Sequence, residues 1–141
     1  MRKAIILETE FEIETEVKCK IPNDIRLFIT AFAIDKIDEN GNVIAYRLHC
    51  SDGNGLTIFY NPEELVNLDG NTKKSLYYYD GELTFGDIAE NVYGDKFLII
   101  EILFYHTSSN IVNYYKLRAS DGKGNLIYFR PYELNLIEIN A

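Results

Sequence analysis

The sequence contains no tryptophan, one methionine, three prolines and two cysteines. The two cysteines, Cys19 and Cys50, lack framework spacing, which excludes a disulfide scaffold and leaves reduced thiols as the default. No apolar run reaches membrane-spanning length. Ala4 to Leu7, behind Arg2 and Lys3, is too short for a signal segment. A cytoplasmic protein with no membrane partner is therefore expected. Basic residues are also scarce: 14 Lys and Arg stand against 22 Asp and Glu, for a net charge of −8. Residues 1–69 carry 7 basic and 13 acidic side chains, net −6, and residues 70–141 carry 7 and 9, net −2. Phosphate backbones are held by clusters of Lys and Arg, so direct nucleic-acid binding is not expected. A basic protein surface is the better partner for such a chain.

Local catalytic signatures are missing as well. There is no Gly-x-Ser-x-Gly, no Walker-type loop and no dinucleotide glycine pattern. Cys50 and His49 are neighbours, so on a strand they point to opposite faces and cannot form a dyad. Asp38-x-Asn40-x-Asn42 begins like a calcium loop, but Val43 stands where glycine is required and His49 where a glutamate is required. Cys19, His49 and Cys50 could supply zinc ligands, but regular zinc spacing is absent. The expectation is a non-enzymatic protein with no metal and no cofactor.

What the chain does have is a repeat. Residues 46–65 read YRLHCSDGNGLTIFYNPEEL and residues 115–134 read YKLRASDGKGNLIYFRPYEL, at a constant offset of 69 with no gap. Each block holds Ser-Asp-Gly-x-Gly, whose glycines supply the positive φ angles of a tight hairpin. Each then holds a Pro followed by Glu and Leu, which suits one helical turn. Asn61 could cap the first of these turns, whereas Arg130 could not cap the second. Units of about 70 residues rarely stabilise themselves alone, so residues 1–69 and 70–141 are expected to pack on each other. Eleven tyrosines, eight phenylalanines and many Ile and Val favour strands.

Residues 7–21 alternate strictly, apolar or threonine at odd positions and charged at even ones, which predicts one long strand up to a break at Pro22-Asn23-Asp24. Residues 25–34 predict a strand buried on both faces, and residues 38–42 a turn. Strands 43–50 and 56–60 form the first hairpin. A junction follows at 69–74, then a strand at 75–79 and a short helix over 87–93 ending at Gly94. A strand at 97–105, a turn at 106–110, a second hairpin of 111–119 with 126–129, and a last strand at 134–139 complete the chain.

Ser-Asp-Gly-x-Gly, the aromatic strand after it and the Pro-x-Glu-Leu turn, in this order, resemble small SH3-like barrels, over about half of each copy. The fold class expected is mainly β: two tandem SH3-like barrel-type units packed on each other, with one or two short helical turns. The rival is one continuous β sandwich. The resemblance implies a binding module for peptides, nucleic acid or small ligands; the absence of Trp argues against the proline-peptide specialisation.

Two surfaces are candidates for a partner. Glu8, Glu10, Glu12, Glu14 and Glu16 lie at about 6.6 Å intervals on one strand face, twice the strand rise. That is too wide to chelate a cation but suited to a row of Lys and Arg; the plain alternative is a solvated face. Tyr77, Tyr78 and Tyr79 offer contact area at low entropic cost, or else line a core. The leading expectation is an acidic inhibitor or immunity-type protein, of the kind carried by phage and mobile elements, that blocks a nucleic-acid-handling enzyme or a toxin. A second is a small-ligand or nucleotide binder using the groove between the copies, with Arg47, Lys116 or Arg118 offsetting the negative charge. A third is a structural component of a larger complex.

Overall fold

A computed structural model of the chain describes residues 4–21, 25–68, 74–79, 81–106 and 113–139, with backbone alone for 105, 106 and 113–115. The expected break at 22–24 lies outside these residues, as do most of the junction at 69–74 and of the turn at 106–110. Among the described residues the protein is mainly β. Its strands are Ile5–Thr9 (β1), Glu16–Cys19 (β2), Leu27–Ile37 (β3), Val43–Ser51 (β4), Thr57–Tyr60 (β5) and Leu65–Asn67 (β6). These are followed by Ser75–Tyr79 (β7), Ile88–Glu90 (β8), Lys96–His106 (β9), Asn113–Ser120 (β10), Leu126–Phe129 (β11) and Asn135–Glu138 (β12). Single 3₁₀ turns at Pro62–Glu64 and Pro131–Glu133 precede β6 and β12.

The repeated block folds the same way twice. In β4–β5, Leu48 lies opposite Tyr60 and His49 opposite Phe59; in β10–β11, Leu117 lies opposite Phe129 and Arg118 opposite Tyr128. Asp52 Oδ1 accepts hydrogen bonds from the amides of Asn54 and Leu56, and Asp121 Oδ1 from those of Lys123 and Asn125. Gly53 and Gly122 sit at φ of 82° and 76°, where a side chain would be strained. At both 3₁₀ turns the third-position glutamate reaches back: Glu64 Oε1 accepts from the Asn61 amide and Glu133 Oε1 from the Arg130 amide, each at 2.8 Å. The expected difference in capping between the copies therefore disappears, because the glutamate does the work and both copies have it.

β1 and β7 form a two-stranded antiparallel ribbon, with Leu7 opposite Tyr77 at its centre. The other ten strands form one sheet, whose path runs β11-β10-β9-β3-β2-β6. β4 pairs with β3 and β5, and β8 with β9 and β12. The sheets do not close into a barrel, which corrects the barrel expected from the SH3-like pattern. The physical reason is that β3 and β9 pair with each other, Ala33 opposite Leu103 and Ile34 opposite Ile102. Strand edges that would close each unit on itself join the two halves instead. Between the ribbon and the large sheet lies the core, with Phe11, Phe32, Phe104, Leu7, Leu27, Ile29, Ile34, Leu48 and Tyr79 fully buried. Each such side chain contributes about 1.5–3 kcal/mol by leaving water.

Two further expectations are corrected. Residues 7–17 keep their alternation, with Leu7, Thr9, Phe11, Ile13 and Val17 buried and Glu8, Glu10, Glu12 and Glu14 exposed, but it fails at Ile21, which is exposed. They are nonetheless two strands, not one. Glu14 takes a φ of 73°, and the Thr15 hydroxyl donates to the Glu12 carbonyl at 2.6 Å. The chain turns there because β1 belongs to the ribbon and β2 to the large sheet. Residues 87–93 are not a helix. Ile88–Glu90 pairs with both β9 and β12, and Asn91 Oδ1 organises a turn by accepting from Tyr93 and Asp95. Ladder bonds on both sides outweigh a weak capping signal in so short a segment.

Candidate functional site

The ribbon divides the predicted aromatic and acidic residues between two faces. Tyr77 and Tyr79 turn inward. The Tyr77 hydroxyl accepts from the Ile13 amide at 3.2 Å and its ring meets Phe32 edge-on at 4.9 Å; the Tyr79 hydroxyl donates to the Leu83 carbonyl at 2.6 Å. Both are core residues, and burial raises the Tyr77 hydroxyl above the usual phenol range. Tyr78 turns outward. It lies opposite Ile6, while Leu76 lies opposite Glu8, so that Ile6, Glu8, Leu76 and Tyr78 share one outer face. Leu76 is 70% and Tyr78 49% exposed.

The five glutamates do not form one straight row. Glu8 lies 3.5 Å from Lys74, an exposed pair worth about 0–1 kcal/mol. Glu10 and Glu12 continue past the end of β1, and Glu12 accepts from the Ser75 hydroxyl at 3.2 Å. Glu14 sits in the turn. Glu16 is half-buried and bonded to Arg26 Nε at 2.5 Å, which holds its carboxyl below the ordinary range.

The residues expected to face a ligand meet on the outer face of the large sheet. Glu101 on β9 is buried, with a side chain only 4% exposed, and bonds to Arg47 of β4 at 2.5 Å and to Arg118 of β10 at 3.1 Å. Arg47 also grips Asp35 through Nε and Nη2, each at 2.9 Å, and lies 5.8 Å over the Phe59 ring. The bond to Asp35, which outweighs the opposing effect of burial, and then the charges of Asp35 and Glu101 keep the Arg47 guanidinium firmly charged. His49 is buried beside Arg47, its ring edge-on to Phe59 at 4.2 Å, and its Nε2 has no hydrogen-bond partner. Burial first, then Arg47 and Arg118, push its pKa down to about 4, so it is neutral at pH 7. The buried Arg118 Nε also lacks a partner.

Beside this network a cavity of about 240 Å³ opens on the β3–β9 seam, lined by Thr30, Ala31, His49, Leu103, Lys116 and Tyr128. Of the three cations expected at a ligand, Lys116 forms part of its wall, whereas Arg47 and Arg118 do not line it. Sequence reasoning missed Glu101, Asp35, Thr30 and Tyr128, and weighed His49 only as a metal-binding or catalytic group. One signal was available for Glu101: it is the sole charge in the apolar run Phe97 to Tyr105, and a lone acid there needs a partner.

His49 and Cys50 face opposite sides of β4, with Cys50 in the core. Burial, then Cys19, push the Cys50 thiol up to about 12, far from a nucleophilic thiolate at neutral pH. Among the described residues, no group of three or more His, Cys, Asp or Glu is placed to hold a metal, and no helix is long and apolar enough to cross a membrane. No protein-family model matches this chain, and no curated protein or solved structure is significantly similar to it.

Proposed function

We propose that this chain is a non-enzymatic, cytoplasmic binding protein that docks through the outer face of the β1–β7 ribbon onto a basic protein surface and blocks it. The observation that carries this reading is the pairing of Glu8 with Leu76 and of Ile6 with Tyr78 on one exposed face. Two large apolar side chains stand at its centre, with Glu10 and Glu12 exposed at its margin. Apolar anchors within a charged rim are the usual anatomy of a protein interface. The net charge of −8 selects a basic partner, and an acidic inhibitor or immunity-type protein acting on a nucleic-acid-handling enzyme or toxin fits that charge. Phage or mobile-element carriage belongs to the same reading. Each half, with its Gly-containing hairpin and its 3₁₀ turn before the last strand, is read as an SH3-like unit opened at one edge to share a sheet.

The test is quantitative capture from cells exposed to phage or toxin, with the wild-type chain and a Leu76→Arg/Tyr78→Arg variant as parallel baits. A stoichiometric basic protein held by the wild type and lost by the folded variant supports the reading. Equal capture by both baits, or no stoichiometric partner for either, contradicts it.

A further inference from the structure

We propose that the cavity on the β3–β9 seam binds a small, flat organic anion, a carboxylate or phosphate ester, with its charge at Lys116 and its body over Ala31 and Leu103. The inference is independent of docking at the ribbon, whose exposed residues do not line this cavity.

Four observations converge. The cavity lies where β3 and β9 pair, and small side chains at Ala31 and Ala33 leave an apolar floor with Leu103. At about 240 Å³ it is smaller than the roughly 300–1,000 Å³ typical of drug-sized sites, so the ligand must be small. Its charged lining residue is the cation Lys116. On the same sheet face Arg47 and Arg118 are engaged by Asp35 and Glu101. Finally, His49 is 8% exposed and its Nε2 is buried without a partner. Leaving such a group unsatisfied costs about 1–3 kcal/mol, which a ligand oxygen or nitrogen would recover.

The His49 ring is neutral at pH 7 because burial pushes its pKa down to about 4. It can therefore serve as a hydrogen-bonding wall, leaving Lys116 to meet the charge. The Thr30 hydroxyl, which donates to the His49 carbonyl at 3.0 Å, fixes that wall against β3. Tyr128, about half exposed, closes the opposite side and offers a ring for a flat body.

The experiment is calorimetric titration and thermal melting of the full chain with three probes: benzoate, adenosine 5′-monophosphate and inorganic phosphate. Benzoate or the nucleotide should bind and raise Tm, and inorganic phosphate, which lacks a body, should bind at least about tenfold more weakly. Lys116→Gln should weaken the better probe by about tenfold or more. Ala31→Leu, which fills the floor, should abolish binding; if that variant does not fold, Lys116→Gln decides. Tyr78→Arg on the ribbon should bind the probe like the wild type, which separates this site from the proposed docking face. The proposal is overturned if neither organic probe binds at about 10 mM, if inorganic phosphate binds as well as either, or if Lys116→Gln binds like the wild type.

Discussion

Asp52 and Asp121 organise their turns with the same pair of backbone hydrogen bonds, yet the strands leading into those turns present different chemistry outward. Along β4 the outward residues are Arg47 and His49, with Phe59 across on β5; along β10 they are Lys116 and Arg118, with Tyr128 across on β11. Inward, both hairpins pair leucine with an aromatic, Leu48 with Tyr60 and Leu117 with Phe129. The inward face and the turn are constrained by register, since a one-residue slip would reverse every side chain. The outward face is not so constrained, and there the hairpins differ. One carries a buried neutral histidine, the other an arginine in the equivalent place, and Glu101 lies between them. Chemical asymmetry on a duplicated frame is what makes the seam a candidate site.

The sharpest way to break the comparison is to remove Glu101. Glu101→Gln leaves Arg47 and Arg118 facing each other without the shared carboxylate. Removing one partner of a buried ion pair typically costs about 3–5 kcal/mol; the partial exposure of both arginines reduces that here, to about 2–4 kcal/mol by the same reasoning. Urea midpoints would read it, and a loss below about 0.5 kcal/mol would mean that the outer face contributes little to holding the halves together.

His49 gives the second largest effect. Its folded pKa, about 4, lies below the ordinary value of 6.5. Below pH 6.5 the unfolded state therefore takes up a proton that the folded state refuses. Stability present above pH 6.5 is lost as pH falls toward 4, by about 3 kcal/mol in all. His49→Gln should flatten that part of the pH–stability curve. An unchanged slope in His49→Gln would show that the histidine is solvated.

The frame itself makes the third comparison. Gly53→Ala and Gly122→Ala place a side chain at nearly the same positive φ, with open space around each. Each should cost about 1–2 kcal/mol, and the two costs should agree within about 0.5 kcal/mol, measured as shifts in Tm or urea midpoint. A larger disagreement would mean that the matching turns are not energetically equivalent.

Much of this was legible in the sequence because it is local. The hairpin at Asp52-Gly53 and its repeat at Asp121-Gly122, the 3₁₀ turns and the in–out alternation of residues 7–17 all follow from neighbours in the chain. The turn at Glu14, the pairing of β3 with β9 and the assembly of Arg47, Arg118 and Glu101 do not. They depend on which strand edges find each other at long range, and no local pattern encodes that choice. For the same reason Tyr77, Tyr78 and Tyr79 could be placed on alternating faces, but which face meets solvent depended on the partner strand.

The docking proposal concerns the other exposed region, the ribbon, and one measurement tests it most directly. The association rate of the captured partner should be followed from low to high salt, for the wild type and for a Glu8→Gln/Glu10→Gln/Glu12→Gln variant. The apolar face of residues 7–13 is untouched, so the variant should fold as the wild type does. The wild-type on-rate should fall steeply as the Debye length shrinks toward about 8 Å at physiological salt, and the variant should associate more slowly with a shallower salt dependence. Identical salt dependence in the two chains would contradict the account and leave the acidic residues as a solvated surface.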